Sequence, residues 1–480
     1  MRSSSHNLSR SLTWTGHPGR ELVRLAWPIA VSTLSYAAMT VVGTAFVAHT
    51  GADAVAGVGL AGVVSFTILC FAIGVMRGGK TLVAQAIGAG RRADVQRYLG
   101  VAVLAALVMG VAATALALAL APVIAALASN ATVGAHATEY LRLRALAAPL
   151  VLVGVAIREV RWGEGDTQGP MRAALAGNLV NFALNVALIP GAGWGVTGAG
   201  LAALAGNATE LAMLVAPVTA RLRRVRWDAA AARAMWRQGA PTGVQFLLEV
   251  GSFLLLTTIL AGLSAEDAGA HQLVLQLTHL SFLPAHALGE AASVLVGNAV
   301  GAGRLELVPR VARRALWLGA AYTAACTLLF AVAARPIAYL LGGGDDPALL
   351  ATTTTLIQIS AAFLVADAAN VIARGVLRGA GDVKYAAVIG VVTAWCLTPP
   401  TAWLLGHVAG WGAPGGWIGL TGEIVVGSAL LWRRVASGAW RAAAAQSQQD
   451  VRAVERAQHD DVAAMSPVDH LPDYGDCEVA

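Results

Sequence analysis

Gln85-Ala-Ile-Gly-Ala-Gly-Arg91 and Asn298-Ala-Val-Gly-Ala-Gly-Arg304 align residue for residue at an offset of 213 positions. Trp27-Pro28 and Ala240-Pro241 share that offset, and Gly165-Asp166 is answered by Gly381-Asp382 at 216. The chain of 480 residues is therefore two copies of one unit. Around these motifs run apolar stretches of about 20 residues, the length of helix that crosses a hydrocarbon layer about 30 Å thick. Spans are expected at about 25–47, 54–76, 98–128, 137–157, 172–190, 196–218, 240–262, 268–296, 314–341, 350–373, 385–407 and 415–435. Six spans per copy keep the halves in one orientation, related by an axis along the membrane normal, with a binding site between them. The expected fold is an all-α polytopic membrane protein with twelve transmembrane helices in two six-helix bundles, an arrangement characteristic of transporters.

Composition agrees. The chain is 57% hydrophobic and 12% charged, with a mean hydropathy of +0.65, whereas soluble domains carry about 25% charged residues. The net charge of +6 conceals eight acidic residues from Asp450 onward, so the remainder is strongly basic. This is not a nucleic-acid footprint, because the basic residues fall in short segments between spans. With the N-terminus inside, 30 of the 33 lysines and arginines lie on the cytoplasmic side, and only Arg142, Arg144 and Arg335 fall outward. Residues 1–24 lack an apolar h-region and read as a cytoplasmic segment, not a signal peptide. The expected division is a first bundle over 25–218, a cytoplasmic linker over 219–239, a second bundle over 240–435 and a disordered acidic cytoplasmic tail over 436–480. Both termini are expected in the cytoplasm and the protein in the cell (inner) membrane. Four cysteines without metal-ligand spacing imply no disulfide framework.

Two phosphate-binding patterns lack their context. Gly74-Val-Met-Arg-Gly-Gly79-Lys80-Thr81 fits G-x-x-x-x-G-K-[ST], and Gly57-Val-Gly59-Leu-Ala-Gly62 fits G-x-G-x-x-G. Both require a strand before the loop and a helix after it. Here they lie in or at the end of apolar spans, where close helix packing through small residues is the better reading.

Acids inside a bilayer are functional candidates by default. Glu249 in the seventh span and Asp367 in the tenth lie at similar depth and are expected to face each other, sharing a cation or a proton. Hydrogen bonding between packed helices is the alternative. In the eighth span Gln272, Gln276, His279, Leu283, His286 and Glu290 fall at i, i+4, i+7, i+11, i+14 and i+18, one mainly polar stripe expected to meet water or cargo. Interhelical bonding of the imidazoles is again the alternative. Asn178, Asn181 and Asn185 share a face of the fifth span. Glu210 and Glu423, within about 20 Å of the arginines at their cytoplasmic ends, are read as snorkelling or pairing locally, and Arg161 and Arg378 as holding loop geometry.

Leu82-Val-Ala-Gln85-Ala-Ile-Gly-Ala-Gly90, Arg161-Trp-Gly-Glu-Gly-Asp-Thr167 with Pro170-Met171, Asn181-Phe-Ala-Leu-Asn185 and Leu377-Arg-Gly-Ala-Gly-Asp382 resemble the multidrug and toxic compound extrusion (MATE) family over about residues 20–435. The resemblance implies two bundles, a central cleft and export of cationic or amphipathic compounds driven by sodium or proton entry. It is similar to the NorM-like branch in placing Glu249 eight residues after Pro241, and Asp367 before Leu377-Arg378-Gly379. The acids of the DinF-like branch are absent, since this chain has Val42-Gly43-Thr44 and Asn181-x-x-x-Asn185. An aromatic hydroxyl that often accompanies the tenth-span acid is replaced by Phe363, which favours protons over sodium.

The resulting expectation is a secondary active antiporter, not an enzyme. Glu249 and Asp367 couple the ion, while Gln276, His279, His286, Glu290, Asn181 and Asn185 line the substrate pathway. No cofactor or metal is expected. The partners are a small-molecule substrate and membrane lipid, and the protein is expected to act as a monomer. Two alternatives stay open. A lipid-linked saccharide flippase should show inward-facing basic residues, and no Arg or Lys is read as deep in a span. A membrane-embedded metal-dependent enzyme would have to use His279, His286 and Glu290.

Overall fold

In the computed structural model the described residues are Leu12, 14–343 and 346–452. Their regular structure is entirely helical. Twelve helices are long and apolar enough to cross a membrane: α1 Pro18–Ala48, α2 Ala52–Gly88, α3 Arg92–Leu127, α4 Ala131–Gly163, α5 Gln168–Gly191, α6 Gly195–Leu222, α7 Ala229–Ala261, α8 Ala265–Gly301, α9 Leu305–Gly342, α10 Pro347–Gly379, α11 Val383–Val408 and α12 Gly412–Ser437.

The repeat is visible as repeated packing. In the first half α1 packs on α5, α2 on α3 and α4, α3 on α4, α4 on α6, and α5 on α6. Six helices later each pair recurs, as α7 on α11, α8 on α9 and α10, α9 on α10, α10 on α12, and α11 on α12. Between the halves α1 packs on α8 and α2 on α7, a symmetric pair, while α2 and α8 meet each other. This is two six-helix bundles about a pseudo-two-fold axis.

The halves meet at one end only. Glycine decides where, because without a side chain two backbones can touch. Gly74 and Gly78 of α2 lie against Gly243 and Gly239 of α7 so closely that a methyl group at any of them would strike backbone. Gly88 rests on the Asn298 carbonyl, and its repeat mate Gly301 rests on the Gln85 carbonyl. The two motifs that reveal the repeat thus dock on each other. Along α8, residues 287–297 are buried throughout, whereas Gln272, Gln276, His279 and Leu280 are exposed. The helices splay apart beyond the contact, leaving a cleft open at the opposite end.

Of the two glycine patterns, Gly74-to-Thr81 lies wholly within α2 as a packing segment. In the other, Gly57 packs against His136 and Ala137 of α4, but Gly59 and Gly62 face open space.

Two boundaries differ from expectation. Helix α6 runs to Leu222 and α7 begins at Ala229, where the Asp228 carboxylate caps the Ala231 amide at 2.9 Å, so within the expected linker only residues 223–228 are not helical. The tail is also ordered at its start. Residues 441–452 form a helix that lies across the closed end. Trp440 and Ala444 pack in the core shared by α1, α8 and α10, while Val451 enters the core of the first half. Ser447 Oγ donates to Gln85 Oε1 at 2.7 Å and accepts from Gln238 Nε2 at 2.9 Å, and Arg237 pairs with Asp450 at 2.9 Å. The acidic composition concealed one apolar face, with Trp440, Ala444, Ser447 and Val451 at i, i+4, i+7 and i+11. Residues 453–480 of the expected tail lie outside the described residues.

Replacing Ser447 by Leu removes the partner of two buried amides. A loss of about 1–3 kcal/mol is expected, read as a lower midpoint of thermal unfolding in detergent, with Ser447→Thr retaining most of it.

Candidate functional site

The deepest contact between the halves is ionic. Arg77 and Glu290 occupy equivalent positions of the repeat, and they pair with each other across the axis, Nη1 to Oε1 2.9 Å. Lys80 donates to the other Glu290 oxygen and lies 3.1 Å from Glu159 of α4. His286 Nε2 is 3.6 Å from Glu290. Above them the guanidinium groups of Arg77 and Arg378 sit 4.6 and 5.4 Å from the Phe246 ring. Arg378 donates to Gln245 at 3.1 Å. The space left among Arg77, Lys80, Thr242, Glu290, Ser293 and Arg378 is only about 10 Å³, at the lower limit for one water. The closed end is plugged.

This corrects several expectations. Arg77, Lys80, Arg374 and Arg378 are helical residues within α2 and α10, not loop residues. Glu290 does not open on water, because the plug buries it, and Arg378 faces that plug while Arg434 takes Asp382 at 2.8 Å. Arg161 does hold its loop: it donates to Asp166 at 2.6 and 2.9 Å, and Asp166 accepts from the Gly169 amide. The helical periodicity that puts Glu290 toward the first half puts Gln272, Gln276 and His279 on the same face of α8, exposed above the plug. Between them Leu283 is buried and His286 half-buried, its ring 5.5 Å from Phe282.

Inside the second half Glu249 accepts from Arg374 at 2.7 Å and from Gln245 at 2.9 Å. Gly390 of α11 admits this group, since a Cβ there would lie 2.5 Å from Glu249 Oε1. Glu423 of α12 accepts from Thr398. Arg374 also acts electrostatically on Asp367 and Glu423, as Glu423 does on Asp367 and Glu249 on Glu423. Glu249 is thus paired with Arg374, and Asp367 and Glu423 lie in the field of the same guanidinium. Phe363 is buried against Trp417 and supplies no oxygen.

The first half repeats the framework with different chemistry. Tyr36 stands at the position equivalent to Glu249, Arg158 to Arg374, Glu210 to Glu423, and Val151 to Asp367. Tyr36 donates to Glu210 at 2.5 Å, and Arg158 donates to Tyr36 at 3.1 Å and lies 3.6 Å from Glu210. Here one carboxylate has one guanidinium. Of the two readings for Glu210 and Glu423, the structure has local pairing, with partners inside their own bundles. Asn178 donates to Ser35 at 2.6 Å, and Asn185 is buried and donates to Asn181 at 2.5 Å, so these two pathway candidates bond each other. Among the described residues no three His, Cys, Asp or Glu side chains converge as metal ligands.

A plugged end, an open cleft and acids beside it define a two-bundle membrane protein of the transporter class. The MatE family model matches residues 28–187 and 241–404, one stretch in each half, and the chain belongs to that family. It is 32% identical over 431 residues, 86% of this chain and 92% of the relative, to the probable multidrug resistance protein NorM of Bradyrhizobium diazoefficiens. It is likewise 32% identical to the protein of that name from Deinococcus radiodurans, covering 86% of this chain and 94% of that one. Its fold is that of a solved structure described as the outward-facing conformation of a multidrug resistance MATE family transporter of the MOP superfamily, with a TM-score of 0.83 at 20% identity over 90% of this chain and 98% of that one.

Glu290→Gln strands Arg77 and Lys80 in the plug. A loss of about 3–5 kcal/mol is expected, measured as thermal stability in detergent. Exchanging the charges, Arg77→Glu with Glu290→Arg, should recover more than about 1 kcal/mol of the summed single losses.

Proposed function

We propose that this protein is a proton-driven antiporter of the inner membrane that exports small organic, cationic or amphipathic compounds by alternating access. The observation that carries the reading is the cluster of carboxyl groups beside the cleft: Glu249 paired with Arg374 at 2.7 Å, with Asp367 and Glu423 in the field of the same guanidinium. Any of these carboxyl groups left charged and unpaired in a bilayer interior calls for neutralisation, because each uncompensated charge there costs several kcal/mol. A cationic cargo or protons can supply it, and the two compete. Protons arriving from outside displace the cargo outward and allow the cleft to close over neutral acids. Entry of one proton down 100 mV supplies about 2.3 kcal/mol toward the cycle. Phe363 in place of a hydroxyl favours the proton over sodium.

The basic residues mark the plugged end as cytoplasmic, with both termini there, so the cleft opens outward. One chain forms both bundles and the cleft, and acts as a monomer. The stripe of Gln276 and His279 is the cargo-facing wall above the plug, and half-buried His286 lies at its foot. The names of the relatives, multidrug resistance proteins, support this reading. A flippase for pyrophosphate-linked lipids is disfavoured because Arg77 and Lys80 are held by Glu290 and Glu159.

Glu249→Gln keeps the shape and loses the titration. Efflux of a fluorescent organic cation from cells expressing this variant should fall to background while the amount in the membrane is unchanged, and wild-type efflux would move coupling elsewhere. Cysteines at Gln276 and His279 should react with aqueous thiol reagents and be protected by cargo, while cysteines at Leu277 and Leu288 should not react.

A further inference from the structure

At the plugged end the seam between α1 of the first half and α9 of the second holds a groove of about 440 Å³, lined by His17, Pro18, Arg20, Arg314, Trp317 and Leu318. Its rim is basic and uncompensated. Arg20 and Arg314 are exposed, and among the described residues neither has an ion-pair partner. The nearby acids are engaged: both oxygens of Glu21 bind Arg24, at 2.6 and 2.8 Å, and Glu306 binds Arg304 at 3.0 Å.

Below the rim the surface turns apolar along both walls. On α1, Val23 and Trp27 follow Arg20 at i+3 and i+7, and both are exposed. On α9, Trp317 follows Arg314 and is 69% exposed, above a shallow trough of exposed Ala321, Ala324, Ala325 and Leu328. Tryptophan is the side chain of the headgroup layer, and basic pockets between transmembrane helices take anionic headgroups. In the equivalent seam between α3 and α7, Arg233 repeats Arg20 and is exposed, but the position of Arg314 is taken by buried Val101, and Arg97 is paired with Asp228 at 3.1 Å.

We propose that this seam binds one anionic diacyl phospholipid, with its phosphate between Arg20 and Arg314 and its chains along the two apolar walls. A water-soluble anion would use the rim and leave the trough uncovered. Because the walls belong to different halves, the bound lipid joins them and favours the conformer closed at this end.

The test is native mass spectrometry of the full chain released from detergent, titrated with phosphatidylglycerol and with phosphatidylcholine of the same chains. The expected result is a retained phosphatidylglycerol adduct, at least about tenfold stronger than phosphatidylcholine, that is lost in Arg20→Gln/Arg314→Gln and kept in Arg313→Gln. Phosphatidylglycerol should also raise the unfolding temperature of the wild type and not of the double variant. Both substitutions are on exposed side chains, so folding is preserved. Inorganic phosphate is the third arm. If it protects as well as the lipid, or if Trp317→Ala leaves lipid retention unchanged, the site is for a free anion and the proposal fails. Equal retention of the two lipids, or undiminished phosphatidylglycerol in the double variant, overturns it as well.

Discussion

A two-fold axis brings each residue near it against its own copy, and for a charged residue that is repulsive. This chain resolves the conflict at one position. Arg77 in the first half and Glu290 in the second are the same place in the repeat, and the opposite charges turn a forced encounter into an ion pair. Lys80 and Glu159 extend it, and the glycine crossings of α2 with α7 and α8 bring the backbones near enough for the side chains to reach. Which end is shut, where the cleft has its floor and which face of α8 looks into it all follow from that contact. Such a buried network discriminates between arrangements more than it adds stability, which suits an element that must come apart during a cycle.

Divergence of the two halves extends to their interiors. Both keep an arginine on the fourth helix of the bundle and a glutamate on the sixth. The first half surrounds them with Tyr36 and Val151, while the second surrounds them with Glu249 and Asp367 and so holds two more carboxyl groups. On the reading proposed above, the first bundle is a wall and the second does the ion chemistry. The helix over 441–452, hydrogen-bonded through Ser447 to α2 and α7, spans both and sits where any opening of the plugged end has to move it.

Much of this was legible in the sequence, and the failures share a physical cause. The repeat offset, the number of spans and the common face of Gln272, Gln276 and His279 are periodic, and periodicity survives folding. The arginines were misplaced because an apolar run ends at its first charge, near Met76, whereas the helix continues to Gly88 as long as its polar residues find partners inside the protein. That was recoverable, since the offset that pairs Gln85 with Asn298 also pairs Arg77 with Glu290. Glu210 and Glu423 are also repeat mates, and each has its own arginine, Arg158 or Arg374, on the fourth helix of its bundle. The ordered start of the tail was hidden by an acidic average that masked one buried face.

The most direct measurement is the distance across the plugged end in the working protein. With the four native cysteines replaced, spin labels at the exposed positions Arg92 and Glu306, one in each half, report the separation by pulsed electron resonance in lipid nanodiscs. A single short distance in the resting protein should give way to a second, longer population when pH and cargo are varied, and Glu290→Gln with Lys80→Met should populate the longer distance without either. A distance that stays short in the wild type under every condition, and in the variant, would contradict a plug that opens during transport.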